Sequence, residues 1–139
     1  MKNHLILLIA VITSLIAGCS YTQQHADQPF LDTTWNLVEL EGESIEHPGP
    51  RIPHLRFEED KVSGFDGCNN FFGNYTNQGN KLSFGPLAST RMACPGIKEI
   101  DMEVNRMIAA TTGYRISGNR MEFYQGDKLL ASFLAAEQK

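Results

Sequence analysis

From about residue 34 onward the chain is built of short apolar-polar alternations punctuated by turn clusters, and this pattern leaves few folds open. Leu55 and Phe57 alternate with Arg56 and Glu58, and after Glu59-Asp60 the run Lys61-Val62-Ser63-Gly64-Phe65 returns. Tyr75 leads into Asn77-Gln78-Gly79-Asn80, beyond which Leu82 and Phe84 share a face. Tyr114 and Ile116 precede Ser117-Gly118-Asn119, and Met121 and Phe123 come back from it. Gln125-Gly126-Asp127-Lys128 then opens a last run from Leu129 to Leu134. A period of two puts alternate side chains on one face of a sheet. Asn and Gly accept the positive φ of tight hairpins, so consecutive strands become antiparallel neighbours.

One stretch departs from that period. Ile97, Ile100, Val104, Met107 and Ile108 recur at steps of three and four, with Lys98, Glu99, Asp101, Glu103 and Arg106 between them. This predicts an amphipathic helix over about 95–112, with Pro95 in its first turn and Gly113 ending it in a left-handed conformation. The expected fold class is α+β and mostly antiparallel: about seven strands in a small curled sheet, or a partly open barrel, packed on one helix. Gly42 to His54 carries Pro48, Pro50 and Pro53 without a clear period, and reads as a long connection between the first two strands.

The N-terminus has a separate logic. Met1-Lys2-Asn3-His4 is short and basic, and Leu5 to Ala17 is an apolar run of thirteen residues. That is less than the roughly 20 needed to span a bilayer, and it has the form of a signal-peptide core. It ends in Ile16-Ala17-Gly18-Cys19, which resembles a bacterial lipobox, with small residues beside the scissile bond and a thiol as acylation nucleophile. Each buried acyl CH₂ contributes about 0.8 kcal/mol, so several chains on Cys19 would anchor the protein stably to a membrane. Ser20 stands where an aspartate would resemble an inner-membrane retention signal, which favours the outer membrane with the domain facing the periplasm. The expected organisation is a signal peptide at 1–18, a polar tether at 19–33 and one domain at 34–135.

Cleavage would remove Lys2 and leave eleven basic against sixteen acidic side chains. Such a chain lacks the basic face that nucleic acid requires. With Cys19 acylated, Cys68 and Cys94 remain in an oxidising compartment, where two leftover thiols usually pair. The alternative is two buried thiols acting as small apolar residues.

The densest local feature is Gly64-Phe65-Asp66-Gly67-Cys68-Asn69-Asn70-Phe71-Phe72-Gly73-Asn74-Tyr75, whose glycines suit a sharply bent strand with close backbone approach. No Lys-Ser or Lys-Thr follows it, as a phosphate loop would require. His25, His47, His54, Cys68 and Cys94 show no metal-ligand spacing, so neither a metal nor a cofactor is expected. Ser89, His54 and Asp66 form a triad only on paper, without a nucleophile elbow, and no catalytic residue is expected. Arg91, a planar donor between the strands and the helix, is a candidate binding residue together with Asn69. Met92, Met102, Met107 and Met121 suit either an adaptable pocket or plain core filling.

Several of these segments together resemble a known family. Trp35-Asn36-Leu37, Val62-Ser63-Gly64, the Gly67 to Tyr75 corner, Leu87-Ala88-Ser89-Thr90-Arg91-Met92-Ala93-Cys94, Tyr114-Arg115-Ile116 and Asn119-Arg120-Met121 resemble the META domain of HslJ-like heat-shock lipoproteins. The resemblance covers about residues 31–133 and implies a lipocalin-like or cracked barrel with a helix. It further implies a non-enzymatic role in envelope stress, associated with heat shock and novobiocin tolerance. A lipid- or peptide-binding barrel, acting as a carrier or in the manner of a pilotin, is the second expectation, by analogy of fold.

Overall fold

The computed structural model describes residues 26–46, 51–96 and 98–137. The signal segment, Cys19, His25, His47, Pro48 and Pro50 lie outside the described residues. Among the described residues, nine strands and one helix follow in the order β1 (Thr34–Leu40), β2 (Glu43–Ser44), β3 (His54–Glu58), β4 (Lys61–Phe65), β5 (Asn70–Gln78), β6 (Lys81–Ser89), α1 (Lys98–Ala110), β7 (Gly113–Ser117), β8 (Arg120–Gln125) and β9 (Lys128–Ala135). Each strand pairs antiparallel with the next around the sheet from β3 to β9, and β1 pairs with both β3 and β9. The sheet therefore curls into a ring. Its weak seam is between β6 and β7, which share the single ladder pair Lys81↔Gly113. Below that pair β7 leaves β6, and α1 takes its place, with Ile108 and Ala109 across a groove from Phe84 to Leu87.

The alternation read in the sequence is the alternation of burial. Trp35 and Leu37 on β1, Leu55 and Phe57 on β3, and Met121 and Phe123 on β8 all point into the ring and are essentially buried. The rings form a continuous stack: Phe57 lies 4.9 Å from Tyr75 and 6.4 Å from Phe123, which lies 4.8 Å from Phe133. Edge-to-face and tilted pairs of this kind stabilise beyond the area they bury. The helix lays Val104, Met107 and Ile108 on one end of this core. Tyr75 donates its hydroxyl proton to the Glu59 carbonyl, which pins the β3–β4 turn, and burial raises its pKa.

Several boundaries differ from those read in the sequence. The tether expected at 19–33 divides, because residues 27–33 lie against the ring. Gln28 donates to the Gly118 carbonyl and the Asp27 carboxylate accepts from the Gly118 N–H. Phe30 stacks on Phe57 at 4.2 Å and lies 4.7 Å from Tyr114, closing the end of the ring opposite the helix. An isolated aromatic in a polar stretch carries no period, so its docking was not visible in the sequence. The long connection at 42–54 is interrupted by β2, which folds back on the end of β1, and His54 already belongs to β3. Pro95 sits in a turn with Gly96 ahead of the helix, not in its first turn. The helix ends without a left-handed Gly113; Thr111 instead returns its N–H to Ile108 and its hydroxyl to Met107. Gly113 opens β7, where a Cβ would stand 3.0 Å from the Asn80 carbonyl oxygen.

Two outcomes follow. Phe57→Ala should lower unfolding free energy by about 3–5 kcal/mol in urea titrations, whereas Phe72→Ala, at a side chain 62% exposed on the outer face, should change it by less than about 0.5 kcal/mol. Arg120 of β8 reaches across β9 to Glu39 of β1 at 2.8 Å, and this hydrogen bond holds the Glu39 carboxyl below its ordinary value of 4.5. A depressed folded-state pKa stabilises the protein above the ordinary value, and the contribution is lost as pH falls through the folded-state value. Both side chains are partly exposed, so the pair should contribute about 0.5 kcal/mol near neutrality and progressively less as the carboxyl protonates in acid; Glu39→Gln should remove that pH dependence from denaturation curves.

Candidate functional site

The corner between β4 and β5 and the segment that leads into the helix are joined more densely than any other surface region among the described residues. Asp-Gly favours a turn in which the carboxylate accepts from backbone N–H groups just downstream. Asp66, only 2% exposed, does this: Oδ1 accepts from the N–H of Cys68 at 2.9 Å and of Asn69 at 2.6 Å. Its Oδ2 accepts from the Asn105 side-chain amide of α1 at 3.0 Å, so one carboxylate ties the corner to the helix. Gly67 supplies the positive φ, +107°, that the turn requires.

Asn69 continues the chain of contacts. Its side-chain oxygen accepts from the Met92 N–H at 2.8 Å and from the Thr90 hydroxyl at 3.1 Å. Thr90 in turn accepts from the Asn70 N–H and donates its own N–H to the Asn70 carbonyl. Cys68 and Cys94 are joined by a disulfide, with Cα atoms 5.8 Å apart and a sequence separation of 26. On the other side of the corner the Arg51 guanidinium stacks 4.0 Å from the Phe65 ring centre and donates to the Asn70 side chain. Gly64 is needed in β4 because a Cβ there would strike the Phe71 ring and the His54 carbonyl.

The two candidate binding residues take different positions. Asn69 directs its oxygen inward as a brace. Arg91 is exposed and makes no ion pair or side-chain hydrogen bond among the described residues. The paper triad is not assembled: His54 Nδ1 meets the Ile52 carbonyl, Ser89 donates to Thr90, and Asp66 is committed to the corner. Cys68 and Cys94, bonded to each other, offer no thiolate to a metal. Of the methionines, Met107 and Met121 are core, while Met92 and Met102 are exposed near the corner. The role of Asn105 was not legible in the sequence. Asp66 carried a signal in its Asp-Gly step, but its helix partner lies 39 residues away.

Two of the pockets among the described residues are surface grooves. One of about 450 Å³ lies between α1 and the β1–β9 rim and is lined by Leu40, Glu41, Arg106, Met107, Lys128 and Leu130 among others. Another of about 480 Å³ lies on the outer face around Phe72 and Pro86. Neither is lined by Trp35, Phe57, Phe123 or Phe133, which fill the middle of the ring.

These features define a small β-ring domain with a filled interior, one end covered by a helix, and a disulfide-tied corner as its most constrained surface element. Residues 28–138 match the META domain, and the chain belongs to the META domain family. It is similar to a protein from Burkholderia xenovorans solved by NMR, at 27% identity and a TM-score of 0.62, over 78% of this chain and 85% of that one. A second NMR structure shares the fold, at 24% identity and a TM-score of 0.57, over 80% of this chain and 90% of that one. No match is found among curated proteins.

Replacing Asp66 by Ala should strand three N–H donors and cost about 3 kcal/mol, with Asp66→Asn intermediate, as read by thermal or urea unfolding. The double change Cys68→Ser and Cys94→Ser should cost a further ~3 kcal/mol, because the open chain regains the entropy that the cross-link removes.

Proposed function

We propose that this chain is an HslJ-like, non-catalytic lipoprotein, anchored through Cys19 to the periplasmic face of the outer membrane, that supports tolerance of heat and of antibiotics such as novobiocin. The observation that carries the reading is Ile16-Ala17-Gly18-Cys19 at the end of a thirteen-residue apolar run, in a chain whose folded part is a META domain. The packed interior favours work done at the domain surface over transport of an acyl chain inside it, since Phe57, Phe123 and Phe133 already occupy that space. The pilotin-like reading keeps support in one form only: the exposed apolar side chains of Ile52, Met92 and Met102 are suited to contact a protein partner.

A deletion strain should lose viability at elevated temperature and in novobiocin relative to its parent. The wild-type gene should restore both, and the Cys19→Ser form should restore neither, although its domain folds. Unchanged tolerance in the deletion strain refutes the stress role.

A further inference from the structure

The way residues 27–33 are held on the ring decides more than where the domain begins. Asp27 and Gln28 bracket Gly118 with two hydrogen bonds, and Phe30 is stacked between Phe57 and Tyr114. The chain therefore leaves the domain at the β7–β8 turn. Four other features share that end. Tyr75 takes the turn at Glu59 and Asp60 next to Phe30, Asp32 pairs with Arg56, and Ala135 and Ala136 bond to Asn119 and Thr34. The Asp66–Asn70 corner is at the other end, because β3 and β4 run from it to the Glu59–Asp60 turn. Five residues at a rise of about 3.3 Å separate the two ends by at least ~13 Å along those strands.

Only six residues, Ser20 to His25, stand between Cys19 and Ala26. Whatever their conformation, the seven Cα steps from Cys19 to Ala26 reach no further than about 25 Å, less than the width of a domain of this size. From this geometry we propose that the end formed by residues 27–33, the Glu59–Asp60 turn and the Ser117–Asn119 turn is the surface apposed to the lipid bilayer, with the corner bearing Asn69 and Arg91 directed away from it. This rests on the lipid anchor at Cys19 proposed above.

The charge of that end fits apposition without adhesion. It carries Asp27, Asp32, Glu58, Glu59, Asp60 and Glu137 against Arg56, Lys61 and Arg120; Arg56 is already paired with Asp32 and Glu58, and Arg120 with Glu39. An acidic rim is repelled by anionic headgroups over a Debye length of about 8 Å, so adhesion contributes nothing and the covalent tether alone sets the apposition. The exposed Met92, Met102, Ile52 and Arg91 then face the periplasmic space, where a protein partner can reach them without crossing the lipid surface.

The test uses the full-length lipidated protein in nanodiscs doped with a gadolinium-chelating headgroup lipid, read by amide NMR. Signals of Asp27, Asp60, Gly118 and Asn119 should be attenuated several-fold more than those of Asn69, Arg91 and Met92. A flat profile, or stronger loss at the corner, overturns the proposal. Mass analysis of the same preparation separates the two readings. An unmodified Cys19 removes the anchor and this orientation with it, whereas a lipidated protein with a flat profile overturns the orientation alone. A Gly/Ser spacer twice the native linker length, inserted after Gln24, should flatten the gradient. A gradient that survives the spacer would mean that something other than the short tether holds that end, and would overturn the argument from reach.

Discussion

Both edges of β1 are hydrogen-bonded, to β3 on one side and to β9 on the other, and a sheet so closed has no free rim there to expose backbone groups to water. The pairing of Trp35 with Ala135 joins residues almost a full domain apart in sequence, so its loop-closure entropy must be offset by the core that closure creates. That core is the aromatic stack around Phe57, which touches strands from both halves of the chain. Closure and stack depend on each other: without the ring the stack would face water, and without the stack nothing would offset the entropy of closing it.

The ring is imperfect at one place, and the remaining architecture answers that imperfection. Where β7 parts from β6, the unpaired stretch of β6 lies beside α1, and the helix needs fixing to stay there. Asp66 fixes it from the corner through Asn105, while the disulfide fastens the segment that leads into the helix. The conspicuous glycine- and asparagine-rich motif is thus a joint between sheet and helix. Its polar groups are largely consumed by the joint itself, which leaves the exposed Arg91 and the flanking apolar side chains as the part of this region that still faces outward. The opposite end of the ring is closed by Phe30 in place of a helix, so that the residues just ahead of β1 are also part of the packed domain.

The strands and hairpins were legible because burial on a sheet alternates with a period of two, and side chains such as Leu55, Phe57, Met121 and Phe123 repeat it faithfully. The helix was legible from Val104, Met107 and Ile108 for the same kind of reason. Its ends were not. Gly113 looked like a stop signal, yet its missing Cβ answers a carbonyl on the β5–β6 turn, a neighbour that no local pattern contains. Phe30 was equally opaque, since a lone aromatic among polar residues shows neither period nor partner until the ring is assembled around it. Within the corner, the glycines around Asp66 read as a sharp bend of the strand, while the ties from Asp66 to Asn105 and from Asn69 to Thr90 gave no hint, because each acts across the fold.

The order of residues by itself determined what is local or additive: the strand and helix periods, the turn chemistry, the acidic balance, the lipobox-like Cys19 and the family resemblance through the Gly-Cys-Asn-Asn corner. Only the tertiary structure decided what depends on distance in space. It closed β1 onto β9, turned a carboxylate at the corner into a tie to the helix, placed Phe30 in one mouth of the ring and left Arg91 exposed beside the other. The physical reason is that hydrophobic periodicity and backbone preference act within a few residues, whereas burial, ring closure and the satisfaction of a buried carboxylate are properties of neighbours brought together from far along the chain.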